Sequence, residues 1–148
     1  MEHAVFRVVF DQIERVLSKA GTAQEVKLLA ALVERLLNGH GEKEENLTYL
    51  AFEHVFKEKG ELDRLRQDHY EIDGHFRLVH QAYGLAETQH LLKKALAGTR
   101  EHFRHEEEVV FPFLEQVLRP ETLETLGKAW MGSNSASAQS VVRNRVTT

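Results

Sequence analysis

The chain has 148 residues, with 19 basic and 23 acidic side chains and a formal net charge of −4. This length predicts a single domain, and the charge balance, which forms no basic stripe, argues against nucleic acid or an anionic membrane as a partner. Cysteine is absent, which excludes disulfides, thiolate zinc sites and iron–sulfur clusters, so that any metal ion must be held by nitrogen and oxygen ligands.

Apolar residues recur at intervals of three and four up to about residue 118, which predicts an all-helical chain. Thr22 and Glu25 have the spacing of a capping box and are expected to begin the second helix. Pro112 is expected to bend the fourth helix locally. The four predicted helices cover residues 1–20, 22 to a polar break around 60, 61–82 and 85–118.

Four long amphipathic helices joined by short connections predict an up-down-up-down four-helix bundle, made of two helical hairpins. After Pro120, the segment "ETLETLGKAWM" is expected to form a short helix at the end of the bundle. The small and polar residues that follow it predict a mobile tail. We therefore assign the bundle to residues 1–118 and the C-terminal helix and tail to residues 119–148.

The sequence contains an internal repeat. The stretches "HGEKEENLTYLAFE" and "HFRHEEEVVFPFLE" each start with a histidine that is followed, four residues later, by a glutamate. The first and third predicted helices also align, because each has a histidine directly after an acidic residue. Each hairpin therefore carries one histidine on its first helix and the pattern H-x-x-x-E on its second. The paired positions are His3 with His69, His40 with His102 and Glu44 with Glu106.

These histidines and glutamates lie on the apolar faces of the predicted helices. Residues four apart project from the same side of a helix, so each H-x-x-x-E pair can hold one ion together. An ionised carboxylate that faces the bundle interior is costly unless a cation or hydrogen-bond donors compensate it. A pair of metal ions about 3.5–4 Å apart, bridged by the glutamates and capped by the histidines, would compensate both carboxylates. Imidazole and carboxylate ligands favour iron, with manganese and zinc as alternatives.

The order "EH…HGEKEE…DH…HFRHEEEVVFP" resembles the hemerythrin-like, or HHE cation-binding, domain over residues 1 to about 118. The resemblance implies a four-helix bundle that holds two non-heme iron ions joined by an oxo or hydroxo bridge. The metal ligands that it implies are the same six residues that the repeat selects: His3, His40, Glu44, His69, His102 and Glu106.

The sequence departs from the oxygen-carrying hemerythrins at two positions. Those proteins have a second histidine four residues after the one on the third helix, where this chain has Asp73. Their last carboxylate ligand follows its histidine by five residues, whereas Glu106 follows His102 by four. Both departures argue against reversible oxygen carriage. We hypothesise that Asp73 or His80 supplies an additional ligand or a proton donor.

The resemblance predicts a protein that binds, senses or detoxifies a small oxidant (oxygen, nitric oxide or peroxide) or that handles iron. The chain has no apolar run of membrane-spanning length, and we expect a cytoplasmic location. One alternative is a signalling bundle with a structural metal site, in which the segment around Trp130 would contact a protein partner. Another is a ferritin-like iron store, which requires E-x-x-H on two helices, whereas only Glu87 and His90 have that spacing. No nucleophile with an adjacent base is recognisable, so no catalytic residue is assigned.

The remaining polar residues receive structural interpretations. Glu45 and Glu107 are expected to pair with arginine or lysine on adjacent helices. Gly39 and Gly41, which flank His40, indicate either a close helix approach or a local bulge beside it. The other histidines that fall off the ligand faces are expected to be solvated, with the last of them bonded to a neighbouring acid: His54, His75, His90 and His105.

Overall fold

The computed structural model describes residues 2–55 and 60–143, apart from the side chains of residues 54, 55 and 133–143. The described residues are helical except at short connections and contain no strand, which confirms the all-helical prediction. No described helix is both long and apolar enough to cross a membrane. The elements, including two π-helical segments, are α1 (Glu2–Leu17), α2 (Ala23–Lys43), π1 (Glu44–Tyr49), α3 (Leu50–Val55), α4 (Gly60–Gln81), α5 (Leu85–His105), π2 (Glu106–Val110), α6 (Phe111–Val117) and α7 (Pro120–Arg143).

The long helices pack side by side. α4 packs against α5, α2 packs against both of them, and α1 packs against α5. Because each of these helices has an apolar face, their association forms a helical bundle with one shared interior. The up-down-up-down order of four helices stays a prediction.

Two apolar clusters fill this interior. The larger cluster is formed by α1, α2, α4 and α5 and includes the buried rings of Phe10, Phe76 and Phe103. The smaller cluster includes Tyr49 and Leu65 and draws on π1, α3, α4, π2 and α6. The six candidate ligands lie between the two clusters or at their boundary. The hydrophobic core is therefore interrupted by polar residues at one level of the bundle.

The start of α2 agrees with the sequence. The side chain of Thr22 accepts a hydrogen bond from the backbone N–H of Glu25 at 3.2 Å, and Glu25 Oε2 accepts one from the N–H of Thr22 at 3.1 Å. These two bonds confirm the predicted capping box, which satisfies N–H groups that have no partner within the helix. The first helix ends at Leu17, slightly before the predicted end at residue 20.

The second and fourth predicted helices each contain a π-helical segment. π1 begins at Glu44 and π2 begins at Glu106, so the wider turns start at equivalent positions of the repeat. Pro112 lies two residues after the end of π2 and directly after Phe111, whose N–H bonds to the carbonyl of Glu106 five residues back. Because proline lacks an N–H and crowds the preceding turn, this wider turn accommodates it within a helical run.

The two glycines beside His40 have different surroundings. A Cβ atom added to Gly41 would lie 3.7 Å from Cε1 of His69, in line with a close helix approach. The predicted alternative, a local bulge, is also present, because π1 begins at Glu44. No described atom lies within 4 Å of a Cβ added to Gly39, and nothing in the structure explains that glycine.

The C-terminal helix differs from the prediction. α7 is 24 residues long and continues through much of the segment that we assigned to a tail. The prediction of a short helix was wrong because neither proline nor glycine, the residues that most disfavour a helix, follows Gly132. Pro120 itself begins α7, where its missing N–H has no helical partner to lose. Residues 144–148 of the predicted tail lie outside the described residues.

Candidate metal centre

The six candidate ligands meet in the interior of the bundle, and all are buried except His69, whose side chain is 27% exposed. Their donor atoms form two overlapping groups, and within each group these atoms lie within 4.8 Å of one another. We call the four histidines the site histidines and the two glutamates the site glutamates. The first group is His3, His40, Glu44 and Glu106, and the second is Glu44, His69 and His102.

Glu44 belongs to both groups because its two oxygens face different histidines. Oε1 lies 2.7 Å from Nε2 of His40 and 3.4 Å from Nε2 of His3. Oε2 lies 3.3 Å from Nε2 of His69 and 4.0 Å from Nε2 of His102. One carboxylate therefore stands between two pairs of imidazoles, as a bridging ligand would.

Glu106 is placed differently. Its Oε2 lies 3.5 Å from Nε2 of His3 and 3.6 Å from Nε2 of His102, between the two histidine pairs. Its Oε1 accepts a hydrogen bond from the hydroxyl of Tyr49 at 3.0 Å. Phe111 is the repeat counterpart of Tyr49 and has no hydroxyl. The two halves of the site are therefore unequal, since only Glu106 has one oxygen occupied by a phenol.

The nitrogen and oxygen atoms of the candidate ligands converge without enough hydrogen-bond donors to satisfy them. The Nε2 atoms of His3 and His40 are 3.0 Å apart, and those of His69 and His102 are 2.9 Å apart. Oε2 of each site glutamate is buried and, among the described residues, has no hydrogen-bond partner. Buried carboxylate oxygens without a partner are costly, and a cation among these nitrogen and oxygen atoms would satisfy them. The residues present fit a metal ion.

Three of the site histidines have a carboxylate on the ring nitrogen that faces away from the centre. Nδ1 of His40 lies 2.9 Å from Glu2, Nδ1 of His3 lies 3.1 Å from Glu107, and Nδ1 of His102 lies 3.4 Å from Asp68. A carboxylate at Nδ1 holds the hydrogen on that atom and leaves the lone pair of Nε2 directed into the site. These contacts orient the rings before any metal binds.

Two of these carboxylates belong to the internal repeat. Glu2 precedes His3 and Asp68 precedes His69, and each acid contacts the histidine of the H-x-x-x-E motif in the same hairpin. The alignment of the first and third predicted helices included both acids but assigned them no role. Their repetition directly before a candidate ligand was the signal available.

The charges of these outer carboxylates are themselves balanced. Glu2 bonds to Lys43 at 2.9 Å, and although burial alone would raise the pKa of Glu2, its bonds to Lys43 and His40 lower it to about 2. Glu107 bonds to Arg7 at 2.8 Å, and this bond holds the pKa of Glu107 below its usual value. The predicted pairing of Glu107 with a basic residue is confirmed. That of Glu45 is confirmed as well, by a bond to Arg66 at 2.6 Å.

The pKa values of the two site glutamates are shifted in opposite directions. Burial raises the pKa of Glu106, and the nearby charge of Glu44 raises it further, to about 10. Burial would also raise the pKa of Glu44, but its interactions with the four site histidines outweigh that effect and hold it well below the usual value. The pair therefore carries one proton at neutral pH without metal, on Glu106, because two adjacent buried charges repel each other.

Tyr49 is a further residue whose role the sequence analysis missed. Its ring is fully buried in the smaller apolar cluster, and its hydroxyl lies 3.3 Å from Nε2 of His69 as well as donating to Glu106. Burial, followed by the charges of Glu106 and Glu44, raises the pKa of Tyr49, so that it remains a neutral phenol. It is a hydrogen-bond donor held directly beside the site.

Asp73 and His80 do not join the two donor groups. His80 is 39% exposed, and its Nε2 contacts a carboxylate oxygen of Glu34, which directs it away from the centre. Asp73 is exposed but lines the same cavity as His69 and Glu44. The hypothesis that either residue is an additional ligand gains no support from this placement, although Asp73 lies at the approach to the site.

The remaining histidines have mixed surroundings. His90 is exposed, as expected, and His75 is half-buried. His105 is buried and its Nε2 lies 2.9 Å from Glu61, so the expected bond to an acid is confirmed whereas the expected solvation is wrong. The side chain of His54 lies outside the described residues.

α7 reaches the outer side of the site through Trp130. The indole ring packs edge-on against His40 with their centroids 5.6 Å apart, and Lys43 lies 5.5 Å from its centroid. Trp130 also hydrogen-bonds to Glu2, the acid on Nδ1 of His40. The C-terminal helix is therefore in contact with the residues that orient one site histidine.

A helical bundle that encloses two overlapping groups of histidine and carboxylate donors defines a class of all-helical domains suited to binding metal ions. The family model of the hemerythrin HHE cation binding domain matches residues 1–114, and the chain belongs to this family. The match includes all six candidate ligands and ends before α7. Neither the curated proteins nor the solved structures contain a significant match to this chain.

Proposed function

We propose that this protein holds two metal ions, preferably iron, at the six candidate ligands and uses them to bind, sense or detoxify a small oxidant such as oxygen, nitric oxide or peroxide. The observation that carries the proposal is Glu44, whose two oxygens face separate pairs of imidazoles while it is fully buried. His3 and His40 would hold one ion with Oε1 of Glu44, and His69 and His102 would hold the other with Oε2. Glu106 would complete the set through its Oε2.

Iron at such a site supplies redox chemistry and a coordination position for a small ligand. The chain supplies the surroundings. The rings of Phe6 and Phe103 pack within 5.0–5.3 Å of the His40 ring and help to keep water from the first histidine pair. Tyr49 keeps its proton and offers it as a hydrogen bond beside Glu106.

A small ligand can reach the candidate metal centre from the surface. A cavity of about 270 Å³ reaches His40, Glu44, His69 and His102 from the surface. This volume is ample for oxygen, nitric oxide or peroxide. An approach of this kind favours a reactive site over the alternative of a closed structural metal in a signalling bundle.

The ferritin-like alternative rests on the E-x-x-H spacing of Glu87 and His90. Both residues are exposed on α5, away from the interior. Exposed side chains do not form the inward-facing ligand set that ferritin-like carboxylate sites require. No observation favours an iron store over an oxidant-binding site.

The proposal is tested by growing the producing cells with iron, counting metals per purified chain, and recording absorption spectra before and after reduction and exposure to oxygen, nitric oxide and peroxide. Two irons per chain, with near-ultraviolet bands that respond to one of these ligands, are expected. Glu44→Gln should lose metal, whereas Glu45→Gln, a change at the adjacent and surface-paired residue, should keep it. A wild-type chain without metal, or with one zinc ion and no spectral response, would contradict the proposal.

A further inference from the structure

The cavity that reaches the candidate metal centre has an acidic outer end. It lies between α2 and α4, with part of α5 at its base. Its outer lining includes the carboxylates of Glu34, Glu42 and Asp73. Glu42 and Asp73 are exposed and Glu34 is half-buried. We call these three residues the acidic mouth.

The cavity joins the acidic mouth to a buried anion. Its inner lining includes Glu44, which is fully buried and whose Oε2 has no hydrogen-bond partner among the described residues. The walls between the two ends are largely apolar and include Ile72, Phe76 and Phe103. Negative charge at both ends of a passage with low-dielectric walls concentrates the electric field along it and favours cations.

Basic residues do not offset this charge within the passage. None of the described residues that line the cavity is lysine or arginine. At the surface, Nε2 of His80 contacts a carboxylate oxygen of Glu34. Asp73 lies one helical turn after His69 on the same face of α4, so its carboxylate stands directly outside the most exposed site histidine.

We propose that the cavity is the route by which a divalent cation enters the centre, with the acidic mouth collecting the ion and Oε2 of Glu44 as the first oxygen that it meets inside. The inference rests on the proposed function, since it concerns loading of the same site. It gives Asp73 a role in the approach of the metal rather than in its final coordination. Neutral oxidants would pass the same mouth without electrostatic assistance.

The test compares the rate of metal uptake by metal-free full-length protein with and without the acidic mouth. Co²⁺ is a suitable probe, because its absorption reports when it enters a site of nitrogen and oxygen ligands. The variant Glu42→Gln/Asp73→Asn removes two charges from the mouth. The control Glu53→Gln/Glu71→Gln removes two charges from exposed positions outside the cavity lining. Circular dichroism spectra and melting curves of all three proteins verify that they are folded.

At low ionic strength, uptake by the mouth variant is expected to be about tenfold slower than uptake by the wild type or the control. The difference should shrink in 0.5 M salt, because screening shortens the reach of surface charges. The final amount of Co²⁺ per chain should be unchanged.

Equal uptake rates in the mouth and control variants would overturn the entry route while leaving the metal site intact. A lower final amount in the mouth variant would also overturn it, because Glu42 or Asp73 would then be a ligand. A wild-type chain that takes up no Co²⁺ would instead contradict the proposed function itself.

Discussion

Glu2 and Asp68 occupy equivalent positions in the repeat and make equivalent contacts, each with Nδ1 of a histidine on the other helix of its own hairpin. The contacts differ in length, 2.9 Å for Glu2 and 3.4 Å for Asp68. A shorter bond between a carboxylate and an imidazole fixes the ring more firmly and makes Nε2 a stronger electron donor. We therefore expect the His40 ring to be oriented more strictly than the His102 ring.

Replacing these acids tests their role as positioning residues. Glu2→Gln is expected to weaken Co²⁺ binding by roughly tenfold or more, because outer-shell partners of metal ligands typically contribute about 10–100-fold to affinity. Asp68→Asn should weaken it less, in line with its longer contact. Competition with a chelator of known affinity measures both effects. Asp63→Asn, at an exposed position of α4, is the control, and unchanged affinity in both test variants would show that the acids do not support the ligands.

Tyr49 can be tested in the metal-free protein. Tyr49→Phe leaves the buried Oε1 of Glu106 without its donor, and an unsatisfied buried acceptor should lower the free energy of unfolding by about 1–3 kcal/mol. Urea denaturation measures the change. Tyr70→Phe, which removes a hydroxyl from a ring that is 65% exposed on α4, should leave stability nearly unchanged. Equal unfolding free energies for the two variants would contradict a role for the Tyr49 hydroxyl.

The sequence identified the six candidate ligands but not the residues around them, and the reason is geometric. His40 and Glu44 lie on one face because four residues make about one helical turn, which is local information. The contact between Tyr49 and Glu106 joins residues 57 positions apart and depends on how two helices are aligned lengthwise. Spacing along the chain does not determine that alignment, so Tyr49 looked like any aromatic core residue.

At the scale of elements, the starts of α2, α4 and α5 and the end of α4 could be predicted to within a few residues because polar breaks and a capping box mark them. The π-helical segments could not be predicted, because a wider turn leaves the H-x-x-x-E spacing unchanged in the sequence. The length of α7 was also missed. Its serine- and alanine-rich half has no apolar periodicity that distinguishes a helix from a polar tail.

α7 lies beyond the part of the chain that matches the family, yet Trp130 contacts His40 and Glu2. Trp130→Ala is expected to speed release of bound Co²⁺ by about five- to thirtyfold, because it removes an aromatic contact and a hydrogen bond, each with a magnitude of about 1 kcal/mol. Release into excess chelator measures the rate. Lys128→Ala changes an exposed side chain of the same helix whose ion pair lies within α7 and is the control. Identical release rates would mean that α7 does not restrain the site.

At the scale of the whole molecule, the sequence correctly predicted a helical domain and its family, because amphipathic periodicity and a repeated motif extend over most of the chain. The structure adds that the site is placed between two apolar clusters. Without a cation, this level of the bundle is a source of instability, because buried carboxylates and converging imidazoles replace apolar packing. Function and stability therefore oppose each other at the same residues.

This opposition should appear as a pH dependence of the stability of the metal-free protein. The folded chain raises the pKa of Glu106 from 4.5 to about 10, so above pH 4.5 it retains a proton that the unfolded chain has lost. The stabilising contribution of that proton is complete below about pH 4.5 and disappears as the pH rises toward 10, because the unfolded state then binds fewer protons than the folded state. The raised pKa of His40 acts in the same direction.

Urea unfolding between pH 6 and about pH 9 should therefore show a falling free energy of unfolding in the wild type and a smaller fall in Glu106→Gln, whose amide is neutral throughout. Glu108→Gln, at an exposed position two residues away, should keep the wild-type slope. Because a bound cation displaces the proton of Glu106, stabilisation by added Co²⁺ should increase over the same pH range. If the unfolding free energy of Glu106→Gln fell with pH as steeply as that of the wild type, the assignment of the proton to Glu106 would be contradicted.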